Sequence, residues 1–404
     1  MEIRRINAEE LLQVRKLWTV VYNGRDDYTK EPTPEQKADP LADPADWTWG
    51  VFDKGKLISS ITETPFLMRF DGHSVKMSGI GGVGTLPEAR KGGHVRYTFE
   101  KLLPEAYETG VVFSNLTPFN HNFYRKFGYE LACARNEISI AAREFTALKM
   151  RGDFTQIFPG DDTSALQEVH QAYIADINHG ICRDYWSDNR AWQIFTKKDP
   201  YTTGTYLYLW RDDTGKPRGY IKYQHESKND GAQMKVQELA FTDRDALYGV
   251  LSLVGGLNAQ FATFVWPMPT FLDVTDFLPI SLWDINQRIV PRDMTRVVNV
   301  KTALELMRRP AGEGSWVVAI TDSVIPANQG TFLVEYGPEG NRVTVTKKNP
   351  DIRCDIPALS QLVTGYRTLE NALRTRQTGL EVSGNRETLD KVFTLRPQHI
   401  TEYF

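Results

Sequence analysis

The segment Gly79-Ile-Gly-Gly-Val-Gly-Thr-Leu-Pro-Glu-Ala-Arg-Lys-Gly-Gly-His-Val-Arg96 gathers the residue types that can hold an anion. A strand-like run ends at Thr85-Leu86-Pro87, and Arg90, Lys91, Gly92 and Gly93 lead into a helical pattern. The backbone N–H groups of Lys91, Gly92, Gly93, His94, Val95 and Arg96 would then stand at an uncapped helix N-terminus, with the positive end of the dipole facing outward. Arg90, Lys91 and Arg96 add full charges, and Gly92 and Gly93 let the backbone approach closely. Two linked phosphates are the expected ligand; a solvated basic turn is the bland reading of the same residues. The first six residues also spell GxGxxG, but the dinucleotide fingerprint needs the helix to open on its last glycine, and here it opens near Gly93. Upstream, Gly81, Gly82 and Gly84 weaken the strand and permit a bulge, which would leave the amides of Val83, Gly84 and Thr85 for an extended ligand arm. Simple packing of a glycine strand under another backbone would use the same glycines.

The elements that must position this loop follow from periodicity. Asn7 and Glu10 have capping-box spacing, and Leu11, Val14, Leu17, Trp18 and Val21 recur at helical intervals, so the chain is expected to open with a helix. Three strands follow over 47–52, 57–70 and 74–85, separated by the turn signals Lys54-Gly55-Lys56 and Asp71-Gly72. A helix over 95–109, a strand over 111–116, a short helix over 120–127 and a strand over 129–140 complete the order α, βββ, α, β, α, β. A similar order recurs: a helix over 162–176, strands over 206–210, 219–225 and 234–241, a helix from Asp243, and a strand over 263–266. From about Thr295 the pattern changes to a mixed layer with its helices gathered at one end. The fold class is therefore α/β with mixed sheets, and the expected divisions are 1–150, 151–293 and 294–404.

Composition narrows the function classes. A chain of 404 residues exceeds what one core usually supports, which agrees with several domains. The net charge of -3 gives no global basic field, so nucleic acid is an unexpected partner. Cys133, Cys182 and Cys354 are far apart and form no CxxC pair, which argues against a disulfide framework and a zinc knuckle; no metal is expected. The N-terminus has no apolar signal core, and Leu247 to Leu257 is too short and glycine-broken to span a bilayer, which needs about 20 residues. A cytoplasmic protein without a membrane partner is the expectation.

Arg90-x-x-Gly93-x-Val95 resembles the acyl-CoA pyrophosphate loop of the GNAT superfamily, with Val95 where Gly or Ala is usual. Tyr124-Arg-Lys-Phe-Gly-Tyr129, within Phe119 to Glu130, looks like the tyrosine-bearing last helix and strand of those enzymes. With a second GNAT-like unit and the terminal Tyr403-Phe404, essentially the whole chain resembles the Eis family, the bacterial "enhanced intracellular survival" acetyltransferases. The resemblance implies tandem GNAT folds plus a C-terminal sterol-carrier-like domain, a homohexamer, and acetyl-CoA as co-substrate. It also implies pantetheine and pyrophosphate contacts from Val83, Gly84, Thr85, Arg90, Lys91, Gly92, Gly93, His94, Val95, Arg96, Phe119 and Asn120. Tyr124 matches the general acid and Phe404 the base, through a C-terminal carboxylate delivered into the first domain. The second unit has no counterpart of the Arg90 loop: Thr242-Asp243-Arg244-Asp245 puts carboxylates where phosphates would sit.

Those two roles have a physical basis and an alternative. A phenol of pKa about 10 can protonate a departing thiolate whose conjugate acid has a pKa of about 8.5. A tyrosine on a short amphipathic helix is equally a core residue. An α-carboxylate of pKa about 3.5 removes a proton from an alkylammonium of pKa about 10 only uphill, by roughly 8 to 9 kcal/mol. The carboxylate is therefore read as anchoring the ammonium and collecting a proton late, after the C–N bond has made the nitrogen acidic. Asp26, Asp27 and Glu402 are candidates for attracting a cationic acceptor, a small amine or a lysine-bearing protein; solvated surface acids are the plainer reading. The expected reaction is acetyl transfer to a primary amine by direct attack in a ternary complex. The alternatives are a longer-chain acyl- or aminoacyl-transferase, and a CoA-regulated binding protein for an apolar ligand.

Overall fold

The computed structural model describes residues 1–22, 44–184, 189–229, 231–278 and 285–404. The chain folds into two compact units, one made of Met1–Ala132, Asp293–Arg396 and Tyr403–Phe404, the other of Cys133–Arg292 and Pro397–Glu402.

The first unit opens with a strand rather than a helix: β1 (Glu2–Arg5) precedes the capping box and pairs antiparallel with β2 (Thr48–Asp53). Four residues carry too little alternation to be read as a strand alone, and the distant partner at Trp49 to Phe52 decides their conformation. The capping box forms as expected: Asn7 accepts from the Glu9 and Glu10 amides, Glu10 reaches back to the Asn7 amide, and α1 (Leu11–Tyr22) follows. β3 (Lys56–Phe70) and β4 (His73–Thr85) complete a meander whose turns have positive φ at Lys54 and Gly55, and at Asp71 and Gly72, as tight hairpins require. The helix α2 (His94–Glu108) crosses over to β5 (Phe113–Leu116), which lies parallel to β4 through Met77 to Ile80. The short α3 (His121–Arg125) leads into β6 (Glu130–Ala141), and the strand Ile285–Val297 pairs with β5 through Met294 to Val297. Phe99, Leu102, Leu103, Leu116, Tyr124, Phe127, Tyr129 and Ile325 form a core under α2 and α3.

A second sheet in this unit runs in the order Gly340–Val345, Gly330–Gly337, Gly314–Thr321, Ile352–Asp355 and Leu380–Val382, with helices Val300–Leu306, Ile356–Val363, Leu369–Thr375 and Arg386–Val392. The last two strands of that order are short and were not evident from periodicity.

The second unit repeats the first architecture. Its strands run β6, Thr263–Pro269, Gly231–Phe241, Pro217–Lys228, Thr205–Arg211 and Asp153–Gln156. Helix Arg244–Gly256 crosses over between two parallel strands, as α2 does. Trp210, Val250, Val254, Phe264 and Trp266 belong to its core. No helix among the described residues is long and apolar enough to cross a membrane.

Candidate active site

β4 and β5 part company at the site. Their pairing ends at Ile80 and Leu116, so among the described residues Gly81 to Thr85 have no strand neighbour on that side. On the other side the pairing with β3 shifts between Ser60 and Thr62, and Gly82 takes φ 56°, so the expected bulge is present. The bulge is held by side chains: Trp18 Nε1 and Ser60 Oγ donate to the Gly82 carbonyl at 3.1 Å each, and the Tyr22 hydroxyl donates to the Val83 carbonyl at 2.8 Å. Ser59 Oγ reaches the Gly84 carbonyl and the Thr85 hydroxyl, each at 2.8 Å.

Beyond β4, Arg90, Lys91 and Gly92 are exposed, and Lys91 and Gly93 have φ of 69° and 75°. Gly93 is the N-cap of α2 and brings no capping side chain, and the first turn holds no acid. The first helical bond runs from the Tyr97 amide to the Gly93 carbonyl at 3.0 Å, which leaves the amides of His94, Val95 and Arg96 without helical acceptors. A Cβ on Gly92 would overlap the His94 imidazole. The buried Nδ1 of His94 has no hydrogen-bond partner among the described residues, an orphan that a bound phosphate could take up. Arg96 lies over the Tyr97 ring at 4.9 Å and within 3.7 Å of Glu100. Open amides at an uncapped helix start, with no acid in its first turn and Glu100 reaching only Arg96, fit a diphosphate.

Tyr124 sits on α3, only 3% exposed, with edge-on contacts to Phe99, Phe119, Phe123 and Tyr129. Its hydroxyl bonds to nothing among the described residues. Burial, and then the neighbouring Tyr22 phenol, push its pKa well above the usual 10. Phe119 is 74% exposed and stands beside Phe123 and Tyr124 as an aromatic ledge. Asn120 Oδ1 accepts from the Phe123 amide at 3.2 Å and caps α3.

The chain end lies on the same sheet. Thr64 faces Gly79 and Thr62 faces Gly81 across the β3–β4 ladder, so the two glycines share one face. The Phe404 ring packs on Phe66 with centroids 5.4 Å apart and covers Gly79, while its carboxyl group covers Gly81. A Cβ on Gly81 would overlap the terminal carboxyl carbon and stand 2.7 Å from its oxygen. These glycines, spaced by two along a strand, thus make a lane for the C-terminus. That use was missed in the sequence, although the spacing is a signal that one sheet face lacks side chains.

Glu402, expected to attract a cationic acceptor, has its charge taken up within the second unit, where Arg183 Nη2 lies 2.8 Å away. Arg183 is buried and also pairs with Glu238. Arg292 donates to the carbonyls of Ile400 and Glu402. Nothing local in the sequence marks Arg183 or Arg292 as anchors of residues more than a hundred positions away. Asp26 and Asp27 lie outside the described residues. No cluster of His, Cys, Asp and Glu suited to a metal ion occurs among the described residues.

In the second unit the matching helix start is closed: Asp243 accepts from the Ala246 amide at 3.0 Å and pairs with Arg218.

Family models for the acetyltransferase (GNAT) domain match residues 2–132 and 183–297, and one for the sterol carrier protein domain matches 300–401. A GCN5-related N-acetyltransferase from Anabaena variabilis ATCC 29413 is 20% identical with a TM-score of 0.85, and all of both chains is covered. A protein from Enterococcus faecalis V583, described as a probable N-acyltransferase, is 22% identical with a TM-score of 0.83, covering 100% of this chain and 99% of that one. Eis1 from Mycobacterium abscessus is 18% identical with a TM-score of 0.79 over all of both chains. No curated protein sequence matches the chain. At such identities the structural likeness establishes the fold, and the domain matches establish its components. The chain carries two acetyltransferase (GNAT) domains and a sterol carrier protein domain, in an Eis-like architecture.

Proposed function

We propose that this protein moves an acetyl group from acetyl-CoA to a primary amine of a cationic acceptor by direct attack in a ternary complex. The observation that carries the reading is the terminal carboxylate of Phe404 laid over Gly81, on the strand that parts from β5. The Arg90 to Arg96 loop would take the pyrophosphate, and Val83, Gly84 and Thr85 the pantetheine arm beside Phe119. Backbone amides near Val83 would polarise the thioester carbonyl, and proximity would supply much of the rate.

The acceptor nitrogen attacks the carbonyl carbon and the C–S bond breaks. The ammonium first releases one proton and the adduct a second once the C–N bond has formed; Tyr124 gives one to the departing sulfur and is refilled, so one proton reaches water overall. Burial keeps Tyr124 protonated throughout the neutral range, so its proton is always present. Phe404 holds the ammonium and takes a proton late. In this reading the domains are 1–150 (catalytic), 151–293 (a GNAT-like unit without CoA) and 294–404 (delivering the carboxylate). The enzyme is cytoplasmic and homohexameric, and a monomer in sedimentation at micromolar concentration would contradict that assembly.

The test is thiol release from acetyl-CoA with a panel of cationic amines, for the native chain and for one extended by a few residues after Phe404. Turnover by the native chain alone supports the reading. Acetyl-CoA binding without turnover by either chain would favour a different acyl group or a binding protein.

A further inference from the structure

The helix that carries Tyr124 has only five residues and cannot hold its own position, because so short a segment gains little from its own hydrogen bonds. Besides the Asn120 cap and the packing of Tyr124 and Phe127 on Phe99, it is held by a set of groups from the C-terminal part of the first unit. Arg296, fully buried on the strand Ile285–Val297, donates one guanidinium N–H to the Phe127 carbonyl in the turn after α3. Its other terminal nitrogen donates to Asp322 Oδ2 at 2.6 Å, and both side chains of this pair are 0% and 1% exposed. Asp322 is itself fixed: its Oδ1 accepts from the Val324 and Ile325 amides at 2.9 and 3.0 Å, and Asn328 donates to Oδ2 at 2.9 Å.

The turn is shaped to receive the guanidinium. Gly128 has φ 85°, and a Cβ there would stand 2.6 Å from Arg296 Nη1 and 3.3 Å from Ile356. The Tyr124 carbonyl accepts from the Phe127 amide at 2.9 Å, so the guanidinium bond at Phe127 bears directly on the residue three positions earlier. Outside this pair, Glu130 bridges Arg125 at 2.8 Å and Arg376 at 3.5 Å, and Gln361 donates to the Leu131 carbonyl at 2.8 Å. Asp322, Gln361 and Arg376 all belong to the segment matched as a sterol carrier protein domain.

We propose that this segment braces the proposed acid: Asp322, acting through Arg296, and Arg376, acting through Glu130, are positioning residues for Tyr124. A buried ion pair is a poor source of net stability, but with one terminal nitrogen on the Phe127 carbonyl and the other on Asp322 it fixes the direction of the guanidinium. The inference rests on the acid role given to Tyr124, so its test has an arm that does not need activity.

In the full-length protein, Asp322→Asn keeps the shape and removes the charge; should it not fold, Arg376→Met leaves the buried pair intact, removes the contact to Glu130 together with those to Gln361 and Asp355, and carries the same test. Amide hydrogen exchange over 126–131 should rise about tenfold while that over 73–85 stays native. With acetyl-CoA, kcat should fall about tenfold at unchanged KM, as a milder form of Tyr124→Phe. With an acetyl thioester of an acidic aromatic thiol, whose leaving group needs no proton, the loss should shrink to about twofold. Unchanged exchange over 126–131, or equal losses with both thioesters, would overturn the brace. If Tyr124→Phe costs nothing with acetyl-CoA, the acid assignment falls instead, and the exchange result alone decides the brace.

Discussion

The crossover β4–α2–β5 and its counterpart in the second unit, Gly231–Phe241, Arg244–Gly256 and Thr263–Pro269, are one supersecondary unit with opposite chemistry at the helix start. In the first, Gly93 offers no cap, the first turn has no acid and the preceding strand is rich in glycine. In the second, Asp243 closes the N-terminus, Asp245 adds a second acid, and the preceding strand has no glycine after Gly231. Both bury their helices against a mixed sheet, so packing does not distinguish them. The strand–helix–strand fold is kept in both, and the uncapped helix start in one only. Unsatisfied N–H groups cost stability that a cap would return, and the first unit leaves them open where a ligand could complete them.

The largest break in this contrast is to remove the acid proposed for the first unit. Tyr124→Phe should lower kcat about 1,000-fold, within the range for a positioned acid, with little change in KM for acetyl-CoA. Because burial raises this phenol above 10, the native kcat profile should show no basic limb from Tyr124 between pH 7 and 10. Steady-state kinetics across that range checks both.

Filling the lane comes next. Gly81→Val should displace the terminal carboxylate and lower kcat/KM about 100-fold, since a shift of about 1 Å at a reacting group can cost that much. The matching test of specificity is Gly110→Ala: Gly110 lies in open space away from the lane, and only its positive φ is lost, so turnover should persist. Activity that survives Gly81→Val would detach Phe404 from the chemistry.

Removing one charge from the open loop is smaller. Arg90→Ala should raise KM for acetyl-CoA about tenfold, the effect of one charge-assisted contact of roughly 1.5 kcal/mol, with kcat nearly native.

The smallest effect belongs to the closed helix. Asp243→Ala should destabilise the fold by about 1 kcal/mol, as loss of an N-cap does, and leave KM for acetyl-CoA unchanged. Burial alone would raise the Asp243 carboxyl, but Arg218 and the Ala246 amide outweigh it and hold it below its usual value. A depressed carboxyl stabilises the fold above the unfolded pKa of about 3.9 and loses that contribution as pH falls. Urea melts should therefore show native and Asp243→Ala converging below pH 4.

What the sequence disclosed was local. The hairpin turns at Lys54-Gly55 and Asp71-Gly72, the capping box at Asn7 and the glycine-led start of α2 each depend on a few adjacent residues whose backbone preferences are strong. What it withheld depends on partners far along the chain. β1 needs β2; the Arg296–Asp322 pair joins two strands' ends through a loop; Glu402 meets an arginine 219 positions earlier. A free-looking acid near the C-terminus and one consumed by a buried guanidinium are the same letter in the same place. Gly79 and Gly81 fall between these cases: their spacing was visible, but the group that needs the space is the last residue of the chain.

The contrast between the two helix starts can be measured directly by titrating acetyl-CoA into the full-length protein in a calorimeter, alongside Gly93→Asp and Asp243→Ala. The contrast predicts one site per chain, weakened at least 100-fold by Gly93→Asp and unchanged by Asp243→Ala. Two sites per chain, or a site lost with Asp243 and kept in Gly93→Asp, would contradict it.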